Sequence, residues 1–128
     1  MAVTSLNNAD IPGFDAGLDS VTITNYIEGI PGGRSLDVTG FPLKAIRAGH
    51  VVIKETAKDN YKPMPVNGEA YDSLPSDHTI VGVVVASVTT DEAMVGIMVR
   101  GSVNEVVSPY PITEEIKVAL PLIRFTQD

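Results

Sequence analysis

Two β-branched apolar runs constrain this chain more than any other feature: residues 79–88, TIVGVVVASV, and residues 93–99, AMVGIMV. Neither approaches the roughly 20 residues of a membrane-spanning helix. Val and Ile, stiff at χ1, favour a pleated backbone over a helical one. Only Thr89-Thr90-Asp91-Glu92 separates the runs, a length and chemistry suited to a hairpin connection. The expected centre of the fold is therefore a hairpin of these two strands. Gly82 and Gly96 interrupt them, and a glycine inside a strand marks a bend, a bulge or a close approach of backbone. Sharply bent ribbons follow.

The remaining elements arrange themselves around that hairpin. Residues 1–20 are polar, with Asn7-Asn8 and Pro12-Gly13, and Ile11, Phe14 and Leu18 fit no period. They read as an N-terminal arm, poorly ordered alone. Residues 21–27 alternate β-branched and polar side chains as a half-buried strand does, and Pro31-Gly32-Gly33 breaks it in a turn. A second short strand is expected at Leu36-Asp37-Val38. Residues 50–55 read as a strand. The stretch from Tyr61 to Val66 carries Pro63 and Pro65, which cannot donate to a central ladder and belong on an edge or in a loop. Residues 67–76 read as a polar loop. Thr113 is placed to cap a short helix with Glu114 and Glu115 in its first turn, Ile112, Ile116 and Leu120 on one face, and Pro121 ending it. Residues 122–125 return as a terminal strand. The division expected is an arm and extension over 1–40 and a β-rich core over 41–128.

Composition removes several functional classes. The 128 residues contain no Cys and no Trp, and nine Lys and Arg stand against sixteen Asp and Glu for a net charge of −7. Without thiols there is no disulfide framework, Cys-ligated metal or cysteine nucleophile. Few, scattered cations in an acidic chain argue against nucleic acid or anionic lipid as a partner. No apolar stretch is long enough for a membrane span, and MAVTSLNNAD has neither the basic nor the apolar region of a secretory signal. A chain of this size hides roughly two-thirds of its unfolded surface on folding, enough for a core without metals or disulfides.

The search for chemistry finds little. His50 and His78, with Asp77 beside the second, are the side chains that titrate nearest neutrality, yet no metal-ligand or triad spacing surrounds them. Residues 29–35, GIPGGRS, approach a phosphate loop but are one residue short and place Arg34 where the lysine belongs. A turn is the simpler reading. Glu114 and Glu115 project about 100° apart on a helix and cannot flank one bond. At Arg100-Gly101, an interface ion pair and a solvated strand end are both open. No catalytic, metal or cofactor residue is assigned. The strands, by contrast, have edges that must be closed, covered or paired, and the arm's isolated apolar residues suit a segment that adds to another chain's sheet.

From Ala48 to Phe125 the order AGHVVIK, YKPMPV, IVGVVVASV, AMVGIMVRGSVNEVV and PYPITEEIKVALPLIRF resembles the lambda-type head decoration proteins of tailed phages and the related head fibre proteins. The resemblance covers the last two-thirds of the chain. It rests on a glycine-containing IVGV strand, a VRGSVN strand and a proline-rich approach to the TEEIKVAL helix. It implies a mainly β fold, a small β-clip-like bent-ribbon barrel with one short C-terminal helix and an extended N-terminal arm. It also implies a homotrimer without catalytic residues, partnered by the major capsid protein and located on the capsid exterior after synthesis in the bacterial cytoplasm. In that family the arm orders by pairing with a strand of the shell. This chain departs from the pattern by a longer N-terminal region that includes the Pro31-Gly32-Gly33 break.

The expected function is therefore decoration or stabilisation of a phage head, or formation of a head fibre base. Ile11, Phe14, Leu18, Val21 and Ile23 are the candidate capsid contacts. The alternative is a small oligomeric β-fold enzyme with an inter-subunit site made by His50, His78 and Asp77. A third reading, the base of an adhesin binding a host surface, has few aromatic residues to support it.

Overall fold

A computed structural model describes residues 19–127. The described chain opens with one helical turn, α1 (Asp19–Thr22), and passes into β1 (Ile23–Gly29), two residues later than the alternation suggests. The break that follows is a tight reversal in which Gly32 and Gly33 take φ of 78° and 69°, values that cost a side-chain-bearing residue steric strain. The Arg34 guanidinium donates to the carbonyls of Pro31 and Gly33 at 3.1 and 2.6 Å. It serves the turn. β2 (Arg34–Ser35) is two residues long, and Leu36 makes a single bridge to Tyr61 where a longer strand was expected.

The chain continues through β3 (Ala45–Ile46), β4 (Val51–Glu55) and β5 (Tyr61–Pro63). The expected polar loop contains a small hairpin, β6 (Val66–Asn67) with β7 (Ala70–Tyr71), turned at Gly68 with φ 67°. Then come β8 (His78–Val84), β9 (Val88–Thr89), β10 (Met94–Val95) and β11 (Ile97–Asn104). The chain ends with α2 (Glu114–Ala119) and β12 (Ile123–Thr126).

The principal sheet has six strands in the order β1-β11-β8-β4-β5, with β12 parallel to β11 from Gly101 to Asn104. The fold is mainly β, as the two apolar runs require. The runs do pair in antiparallel fashion, but only through Ile97 with Val84 and Met98 with Val83. Their connection leaves the sheet: β9 pairs with β3 and β10 with β2. The ribbons bend, yet among the described residues the sheet is an open path and not a barrel, and α1 is a second short helix. Physical reasons stand at both ends of the path. β5 carries Pro63, which cannot donate, as the sequence indicated for an edge. β1 shifts register three times against β11, and such bulges bend an edge away from regular pairing.

Apolar runs replace alternation because the central strands have core on both faces. Val51 and Ile53 enter one cluster with Val83, Met98, Val103 and Ile116; Val52 enters a second with Val84, Ile97, Ile46 and Leu36. The first cluster is closed by α2 through Ile116 and Leu120, with Ile112 packed against it. These are the residues the 3.6 period placed on one face. The Thr113 hydroxyl accepts from the Ile116 amide at 3.4 Å, and Lys117 reaches the Glu105 carboxylate at 3.1 Å. Thr113→Ala should lower unfolding free energy by about 1 kcal/mol in urea titrations. An unchanged midpoint would show that packing alone holds α2.

Of the 1–40 extension, residues 1–18 lie outside the described residues. β1 is a strand of the principal sheet, and Leu36 is buried in the second cluster. No helix among the described residues is long and apolar enough to cross a membrane.

Candidate docking edge

β1 pairs with β11 along one side, and its other side carries no ladder among the described residues. Its ends are held. Ile23 is half-buried against the first core cluster, and beyond Gly29 the Ile30 amide donates to the Ile97 carbonyl at 2.9 Å. Between these anchors every residue from Thr24 to Glu28 is exposed, Tyr26 by 53 % and Ile27 by 52 %. Among the described residues the strand thus presents an outer edge with no ladder partner together with two large exposed apolar side chains.

The segment leading into β1 is fixed from below. The Asp19 carboxylate accepts from the Ser87 amide at 2.9 Å and from its hydroxyl at 2.6 Å, and the Ser87 hydroxyl accepts from the Ala48 amide at 3.0 Å. Thr22 is buried, with its methyl where a Cβ on Gly49 would stand. Asp19 is therefore anchored at a defined place, through Ser87 to the turn that precedes β4.

Of the capsid contacts expected from sequence, Val21 is exposed and Ile23 is half-buried. Ile11, Phe14 and Leu18 lie outside the described residues. Tyr26 and Ile27 were not singled out, because an alternating stretch implies one covered face. Only the strand order reveals that β1 is an edge.

The histidines are set apart. His78 stands opposite Glu55 in the β4–β8 ladder, whereas His50 precedes Val51. Five residues of strand separate the two positions, about 17 Å at ~3.4 Å per residue, too far to act on one bond within a chain. They also line different cavities. His50 is buried, and its Nε2 hydrogen donates to the Met64 carbonyl at 3.0 Å, since a carbonyl only accepts. Phe41, Tyr71 and Tyr110 meet the imidazole edge-on at 5.5, 5.2 and 5.6 Å. Burial pulls its pKa down to about 4, opposed by the Met64 bond, so the ring is neutral at pH 7. Burial likewise pushes the phenols of Tyr71 and Tyr110 up. Asp77 takes φ of 60° at the turn before β8, a conformation Asp tolerates better than most residues. Among the described residues no cluster of three or more His, Asp or Glu side chains is placed to hold a metal.

No family model, curated protein or solved structure matches the chain. The chemistry of its surfaces carries the functional reading.

Proposed function

We propose that this chain is a structural protein of a tailed-phage particle that docks as a homotrimer on the outside of the head, with the major capsid protein as partner. The observation that supports this reading most is the β1 edge. An exposed strand continuous with an N-terminal segment is suited to binding by strand addition, in which backbone bonds give affinity and alternate side chains give specificity. The bulges in β1 restrict that edge to partners whose twist matches. The residues that resemble decoration proteins, from Ala48 to Phe125, support the same reading.

Three linked copies would engage neighbouring capsid subunits together, and avidity raises affinity by roughly 10² to 10⁴ over one contact. The test is co-sedimentation of the purified chain with expanded, undecorated heads of its parent phage, with unexpanded proheads as control. Saturable binding to expanded heads is expected. Deleting residues 1–18, or replacing Tyr26 and Ile27 together by Asp, should weaken it by at least about 100-fold, with melting temperatures near that of the parent. Absence of binding to either particle would overturn the head-binding reading. Full binding by both variants would overturn the role of the arm and edge.

A further inference from the structure

Among the described residues, one surface cavity differs from its neighbours in charge. Leu43, Lys44, Arg47, His50, Pro109 and Tyr110 line a space of about 130 Å³. Its lining holds two cations and no carboxylate, in a chain of net charge −7. Three further cavities each include an acid: Asp37 in one, Glu105 in the second, Asp72 and Glu115 in the third. Neither Lys44 nor Arg47 makes an ion pair among the described residues.

The backbone holds both cations in place. They flank β3, whose Ala45 and Ile46 pair with Thr89 and Val88. The Lys44 carbonyl accepts from the Thr90 amide at 2.9 Å, and the Arg47 carbonyl accepts from the His50 amide at 3.0 Å. Three residues of chain put their Cα atoms at most about 11 Å apart, a span that two long side chains close on a single anion. The Arg47 charge already acts on this cavity: burial raises the pKa of the Tyr110 phenol, and the guanidinium opposes that rise.

The remaining walls are apolar. Leu43 and Pro109 stand with the rings of Tyr110 and His50, which meet T-shaped at 5.6 Å. Because the His50 Nε2 hydrogen is given to the Met64 carbonyl, Nδ1 of the neutral ring is an acceptor. The imidazole therefore has no donor left for an anion. An anionic group belongs at Arg47 and Lys44, and an apolar one against the rings. The volume is close to the roughly 150 Å³ apolar cavity known to accept one benzene ring, and an apolar wall with a few convergent polar groups is the usual make-up of a small-ligand site.

We propose that this cavity is a binding site for a small aromatic carboxylate of benzoate size, with the carboxylate on Arg47 and Lys44 and the ring against Leu43, Pro109 and Tyr110. Arg47 supplies the planar pair of donors that fits a carboxylate, and Lys44 adds a second charge. The site is independent of head binding.

Sodium benzoate titrated into the isotope-labelled full-length protein, at constant ionic strength, tests this through amide chemical shifts. Saturable shifts at Ala45, Arg47 and Tyr110 are expected, with a dissociation constant of about 1 mM, an affinity within reach of so small a ligand. Benzamide keeps the ring without the charge, and acetate keeps the charge without the ring; each should bind at least about tenfold more weakly. Arg47→Gln should weaken benzoate about tenfold and leave benzamide unchanged, whereas Leu43→Asp should weaken both. Leu43 is 44 % exposed and Arg47 only half-buried, so melting temperatures should stay near that of the parent. If a variant fails to fold, the comparison of ligands on the parent still decides. No saturable shift at these amides by about 10 mM benzoate would overturn the proposal. So would benzamide, acetate or inorganic phosphate binding as tightly as benzoate, or a folded Arg47→Gln variant that binds benzoate unchanged.

Discussion

Gly82→Ala should destabilise the protein by about 3 kcal/mol and Gly82→Val should leave it unfolded at room temperature, whereas Gly96→Ala should change stability by no more than about 1 kcal/mol. The two glycines sit in equivalent-looking apolar runs. At Gly82 a Cβ would collide with the Met98 carbonyl oxygen and approach the Ile97 Cγ2 at 2.8 Å. It stands where β11 passes over β8 after pairing through only two residues, and the obstruction is backbone, which cannot rotate away. At Gly96 a Cβ would meet only Val85 Cβ and Cγ2 at 3.6 Å, ordinary contact. Domains of this size are stable by only about 5–15 kcal/mol, so the first substitution removes a large share. Urea unfolding of the alanine variants measures both. Equal losses at the two positions would refute the crossing as the reason for Gly82.

The second large effect is acid destabilisation through His50. Its pKa is about 4 in the folded protein against an ordinary value of 6.5, so the unfolded chain binds the proton more readily. Stability from this group is complete above pH 6.5 and is lost as pH falls toward 4. By pH 5 the loss should be about 2 kcal/mol, at 1.36 kcal/mol per unit of displacement. Asp37 and Glu55 are also held below their ordinary values of 3.8 and 4.5, Asp37 chiefly by Thr39 and Glu55 chiefly by Asn60. Their contribution is present above those values and is lost below them, a window that lies lower than most of the His50 range. Urea unfolding at pH 7.5 and pH 5.0 tests this. His50→Phe should be less stable at pH 7.5, because it leaves the buried Met64 carbonyl without its donor, and should lose most of the slope between the two values. A native His50 resonance titrating near 6.5 would refute the burial account.

The elements legible from sequence were those specified by neighbours along the chain. The cap at Thr113, the face of Ile112, Ile116 and Leu120, the reversal at Pro31-Gly32-Gly33 and the edge position of Pro63 all follow from local sterics and hydrogen bonding. The connection between the apolar runs was misjudged because Val88-Thr89 and Met94-Val95 find partners in Ala45-Ile46 and Arg34-Ser35. Such pairings depend on residues some 40 or more positions away and leave no periodic trace.

By itself the sequence determined that this protein is built from strands with buried apolar faces, that its short helix begins after Thr113, and that it has no thiol chemistry. Tertiary structure alone decided which strand became the edge, why Gly82 and Gly96 differ, and that His50 is a neutral core residue far along β4 from His78. The physical reason is that propensity and capping act within a turn or two of chain, whereas strand order, close approach and desolvation arise only when distant segments meet.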